Sequence, residues 1–183
     1  RWYDFQGRIL VDLCTKIESI VHNESPHTRL GLMQSWSTDG RWWADALNAL
    51  AGKHRPLART SLAQYHETTA IAFLPDRHDF LKEVACLTDK TDNFPELENA
   101  TYSEYSKSAR KTRLQTLLAA IKGSPGITMN LFDMVGTSIL DDRRYGPMLS
   151  KLKPTLDELS RHFTSSSNMR GINIPFPLKY ADH

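Results

Sequence analysis

The spacing of apolar residues switches again and again between a helical period and a strand period, and this alternation constrains the fold most. Leu10, Leu13, Ile17, Ile20 and Val21 share one face of a helix expected over residues 4–22. A strand-length run at 29–35 follows. Trp43, Ala46, Leu47 and Leu50 then step i, i+3, i+4, i+7, with a Thr or Asp just upstream to cap and Gly52 to stop. A second run at 57–63 leads to a helix over 76–89 carrying Phe80, Leu81, Val84 and Ala85. The weakest strand is 94–99, where Pro95 fits only a strand start or an edge. The next helix is expected over 104–122, with Leu114, Leu117, Leu118 and Ile121 as its stripe and Gly123 and Pro125 as its end. Ile127, Met129 and Leu131 alternate within a strand at 126–133. A last helix opens near Pro147 and runs through Leu149, Leu152, Leu156 and Leu159. Pro154 lies inside it and is expected to kink it or delay its start. A final run spans 172–177.

Strand starts near 29, 57, 94, 126 and 172 lie mostly about 30 residues apart, the length of one βα unit. Strict alternation predicts an α/β fold with a parallel sheet and right-handed crossovers. One architecture is an open doubly wound sheet, flavodoxin-like and complete at this length. The other is part of a (β/α)8 barrel, which takes about 250 residues in full. The helical pattern begins almost at Arg1, without a Met or a signal-like segment, which favours a piece of a barrel.

Of the 183 residues, 40% are apolar and 24% charged, a soluble globular composition. A net charge of +2 gives no basis for binding nucleic acid or acidic lipid. No run of about 18 apolar residues could span a membrane. The compartment is not encoded, and a cytoplasmic location is the default expectation. Cys14 and Cys86 sit in helix-like apolar patterns and read as buried free thiols; no C-x-x-C spacing suggests a metal. With no G-x-G-x-x-G and no P-loop, no cofactor is expected.

Either architecture puts chemistry at the C-terminal ends of the strands. Gln34, Ser35, Trp36 and Asp39 follow the first strand; Gln64, Tyr65, His66 and Glu67 follow the second. Glu98, Asn99 and Tyr102 follow the third, and Asn130, Phe132 and Asp133 the fourth. Each end joins hydrogen-bonding groups to an aromatic ring, the mixture that a sugar's hydroxyls and C–H faces require. Plainer readings stand beside these. The tryptophans could be packing, His66 and Glu67 a polar loop, Asp133 a helix cap and Glu98 a surface carboxylate. Glu96 and Glu98 share a strand face but sit roughly 7 Å apart in height, so they are not a paired acid and nucleophile. Lys107, Arg110, Lys111 and Arg113 crowd a helix start, where the macrodipole disfavours cations. They read as a solvated face, or as charges offset by groups at the strand ends.

The segments "HTRLGLMQS", "RPLARTSLAQYHE", "ELENATYSEYSKSARKTRLQ" and "GITMNLFDMVG", with "YGPMLSKLKPTLDEL", resemble the later part of bacterial (β/α)8-barrel glycoside hydrolases of the retaining, β-galactosidase-like kind. The likeness covers about residues 4–163. It implies strands 5–8 of the barrel within residues 1–163, and a linker towards a following domain in 164–183. It makes Glu98 the nucleophile at the end of strand 7, with Glu67 the rival if the numbering slips by one. The acid/base carboxyl would belong to strand 4, upstream of Arg1, and this chain alone would be inactive. Trp36, Tyr65, Glu67, Asn99, Tyr102, Asn130 and Asp133 would bind the carbohydrate. The partner would be the N-terminal half of the barrel or a second copy. Two other readings remain open: a non-catalytic carbohydrate-binding or interaction protein on the same scaffold, and an independent flavodoxin-like domain with another ligand.

Overall fold

The computed structural model describes residues 2–33, 42–62, 66–67, 91–99, 105–121, 123–131 and 142–162. The helix expected over 76–89, the run at 172–177, Cys86 and the boundary at 163–164 lie outside them. The chain is a mixed α/β protein with small parallel sheets. The described residues fall into two compact units. Residues up to Thr60, with 91–93, form the first; Ser61 onwards and Phe94 onwards form the second.

In the first unit, α1 (Trp2–Glu24) leads to β1 (Gly31–Met33), α2 (Trp43–Ala51), β2 (Leu57–Arg59) and the two-residue β3 (Asp92–Asn93). The strands are all parallel and lie in the order β1-β2-β3, with Gly31 opposite Leu57 and Leu57 opposite Asp92. No reversal of strand order, the mark of a doubly wound sheet, occurs among these three. Cys14, Ala46 and Leu50 join α1 to α2, with Leu10, Val11, Leu30 and Leu32 packed around them. Cys14 is a free, buried thiol. Trp43, Leu47 and Ala58 seat α2 on the sheet.

Helix α2 starts later than a Thr38 or Asp39 cap would allow. Trp42 is its N-cap and makes no side-chain cap hydrogen bond. Its end follows expectation: Gly52 takes φ 56° and its N–H bonds the Asn48 carbonyl. A side chain there would also run into Glu18 of α1. At the strand starts, Asp92 accepts from Arg29 at 2.7 Å and from Arg55 at 2.5 Å. Burial opposes its charge, but the two guanidiniums prevail and hold its carboxyl below the usual range.

The second unit holds β4 (Glu96–Glu98), α3 (Ala109–Ile121), β5 (Thr128–Asn130) and α4 (Tyr145–His162). β4 pairs in parallel with β5, Leu97 opposite Met129, and Ser61 bridges to Glu96 in the same sense. The expected strand at 94–99 is therefore β4 alone, preceded by Phe94 and the buried Pro95. Pro95 has no N–H to give, yet its carbonyl still accepts the Thr128 N–H at 3.0 Å. Leu97, Leu131 and Tyr145 form the core, lined by Leu62, Ala109, Ile127, Met129, Met148 and Leu149.

Three helical expectations are corrected. The expected α1 face divides: Leu10 packs with Val11 and Cys14, whereas Leu13, Ile17 and Ile20 are exposed, because the helix turns Cys14 rather than its leucine–isoleucine stripe towards α2. The α3 stripe is out of phase: Thr112, Gln115, Thr116 and Ala119 are buried, whereas Leu114, Leu118 and Ile121 are exposed. Burial of the polar residues is possible because each finds a partner. Thr112 and Thr116 hydroxyls donate to the carbonyls of Ser108 and Thr112, and Gln115 accepts from Lys107. Pro154 does not delay α4, which runs unbroken from Tyr145. Asp142 starts it by accepting the N–H groups of Arg144 and Tyr145 at 2.7 and 3.0 Å. The carbonyl of Ser150, which Pro154 cannot bond, belongs to an exposed residue.

Candidate functional site

Alternation along β4 sends Leu97 into the core and leaves Glu96 and Glu98 half-buried on the other face. Parallel register then sets Glu98 beside Asn130, the last residue of β5. The Asn130 amide donates to Glu98 Oε1 at 3.0 Å. Among the described residues, Oε2 receives no hydrogen bond. One oxygen is oriented and the other keeps its lone pairs.

One residue on, Asn99 is buried. Its N–H bonds the Asn130 carbonyl at 2.9 Å, and its amide donates to the Leu131 carbonyl at 3.1 Å and to the Tyr145 hydroxyl at 2.8 Å. Asn99 Oδ1 is buried and has no donor among the described residues. Tyr145 passes the chain of bonds on, donating to the Lys107 carbonyl at 3.2 Å.

Lys107 closes the circuit. It precedes α3 rather than lying in it, and it is 2% exposed, so it is not part of a solvated face. Its ammonium donates to the Glu98 carbonyl at 2.8 Å and to Gln115 Oε1 at 2.7 Å. Burial pushes its pKa down to about 8, Lys111 adds to the fall, and Glu67 and Glu98 oppose it.

Residues 66–67 fasten the same segment from outside. Glu67 is exposed, and its carboxylate accepts the Ser108 N–H at 2.9 Å, immediately before α3. That bond, more than the nearby lysines, holds the carboxyl below its ordinary range. The Glu67 N–H bonds the Ser106 carbonyl at 2.7 Å. Lys111 donates to the carbonyls of His66 and Glu67 at 2.7 and 3.1 Å. A carboxylate at a helix start offsets the cations that crowd it, and backbone carbonyls take up Lys107 and Lys111.

Of the residues expected at the site, Glu98, Asn99 and Asn130 come together at the strand ends. Glu67 lies against the segment before α3. Trp36, Tyr65, Tyr102 and Asp133 lie outside the described residues. Gln115 and Tyr145 were not singled out from sequence; their signal, a polar residue at a core phase of a helix, needs the phase to be known first. Among the described residues, no group of three or more His, Cys, Asp or Glu side chains could hold a metal ion. No described helix is long and apolar enough to cross a membrane. Compared with known protein families, with curated proteins and with solved structures, the chain matches none.

Proposed function

We propose that the chain is part of a retaining glycoside hydrolase with a (β/α)8 barrel, acting on a β-linked, galactosyl-type sugar, and that Glu98 is its nucleophile. The supporting observation is the Glu98 carboxylate at the C-terminal end of a parallel strand. Asn130 holds its Oε1, and Oε2 is without a donor among the described residues. In this reading Oε2 attacks the anomeric carbon as the leaving oxygen departs with a proton from a second carboxyl. Water, activated by that second group, then cleaves the glycosyl ester and returns Glu98 as carboxylate. The second carboxyl must stand about 5–5.5 Å from Glu98 for retention, and it comes from outside the described strand ends. Asn130 is the positioning residue, and sugar contacts fall to Trp36, Tyr65, Glu67, Tyr102 and Asp133; Asn99, expected among them, is buried with its amide bonded to Leu131 and Tyr145 and supports the strand ends instead.

A 2-deoxy-2-fluoro-β-glycoside with a good leaving group tests this. The intact protein should acquire one label, on the peptide carrying Glu98, and Glu98→Gln should slow labelling by at least about a thousandfold. A label on another carboxylate refutes the assignment. Sugar binding seen by calorimetry that survives Glu98→Gln, with no turnover by the wild type, selects the binding-protein reading instead.

A further inference from the structure

Helix α1 has more apolar surface than its unit covers. At about 100° per residue, Gly7, Leu10, Val11 and Cys14 make the face that packs on α2 and the sheet. Trp2, Phe5, Ile9, Leu13, Ile17 and Ile20 make a second face about 120° away. These six are between 39% and 66% exposed. A helix that packs on one side needs only one such stripe. The second stripe offers roughly 600 Å² of apolar surface, and a monomer seldom leaves that much open in one patch.

We propose that this face is the contact between two copies of the chain, with the α1 helices antiparallel about a two-fold axis near residue 11. Size complementarity favours that direction. Residues at the same height then add to 22: on the seam Trp2 meets Ile20 and Ile9 meets Leu13, so the large ring at one end packs on a branched aliphatic chain, while Phe5 and Ile17 lie on opposite flanks. Charge complementarity favours it too. Arg8 and Asp12 share the outer flank of the stripe, both exposed, and neither makes an ion pair among the described residues. An antiparallel pair lays that flank against its own copy. Arg8 of one helix comes within about 3 Å, measured along the axis, of Asp12 of the other, and the contact occurs twice. A parallel pair would set the flank against Gln6 and Leu10 and match no opposite charges. The area, about 1,200 Å² over both copies, is at the lower limit for a stable dimer. The contact does not involve Glu98 and stands whether or not the chain is a glycosidase.

Light scattering and sedimentation equilibrium on residues 1–183 should show a dimer at micromolar concentration. Ile9→Asp should give a monomer with an unchanged far-ultraviolet spectrum, because the side chain is on the open face. Arg8→Asp, which faces Asp12 with a like charge, should weaken the dimer by about tenfold or more. Adding Asp12→Arg should restore the affinity to within a few-fold. A monomeric wild type overturns the proposal and leaves the face to a different polypeptide segment. A dimer indifferent to Ile9→Asp, or an Arg8→Asp variant not rescued by Asp12→Arg, overturns it as well.

Discussion

A buried ammonium loses hydration that only well-placed acceptors replace, and at Lys107 the Glu98 carbonyl and the Gln115 amide oxygen are among those acceptors. Its pKa of about 8 lies below that of an unfolded lysine near 10.5, so in the interval between them the unfolded chain binds more protons. Stability attributable to Lys107 is therefore fully present above about 10.5 and is lost as pH falls through about 8. Urea unfolding should show the wild type gaining on Lys107→Met between those pH values, by at most about 3 kcal/mol. Parallel curves for the two proteins would refute it. The neutral amine still has protons for both acceptors, so the segment before α3 stays fastened as the charge leaves. Sequence spacing reaches Glu98, Asn99 and Asn130 because parallel strands bring their ends together by rule. It does not reach Lys107, Gln115 or Tyr145, whose meeting depends on a loop path and on two helix phases.

Elements were legible in kind more than in phase. The period of α3 is helical as read, but Leu114 and Leu118 are exposed, because threonine and glutamine with partners satisfy a buried face as leucine does. The helix containing Pro154 was recognised from its leucines, while its unbroken course depends on an exposed carbonyl that no pattern shows. Pro154→Ala should raise stability by about 1–3 kcal/mol, seen as a higher melting temperature, since it restores one helical hydrogen bond and removes a ring clash. No rise would mean that α4 is already distorted at that point. Near the end of α1, His22 places one ring nitrogen 2.8 Å from Glu18 and the other 2.8 Å from the Thr28 carbonyl. Only the doubly protonated ring can donate to both. The bond to Glu18 first, then that to Thr28, raises its pKa against some burial. The stabilisation is complete below the unfolded value of about 6.5 and disappears as pH rises through the raised folded value. A ring-proton titration by NMR should place His22 above a free histidine, and His22→Gln should lose its disadvantage in alkaline buffer. The His54 ring centroid is 5.0 Å away, so the two rings' resonances must be assigned separately.

At the scale of the molecule, the small parallel sheets follow from the alternation of strand and helix, whereas the division into two compact units does not. Packing against α2 makes Cys14 a reporter of opening: the thiol is 3% exposed, and burial raises its pKa. In a Cys86→Ser background a thiol reagent should modify Cys14 only as fast as the α1–α2 contact opens, and much faster in urea. Native protein reacting like a free thiol would show that the contact is not kept. Asp92 has a consequence in time. Arg29 and Arg55 are made before it, and both donate to its carboxylate. As the chain leaves the ribosome, residues 1–60 present two neighbouring arginines with that counter-charge still unbuilt. More than thirty residues must then be added before Asp92 arrives. During that wait the strand starts of the first unit lack the Asp92 carboxylate that the two arginines later share, a positive site suited to an acidic chaperone surface.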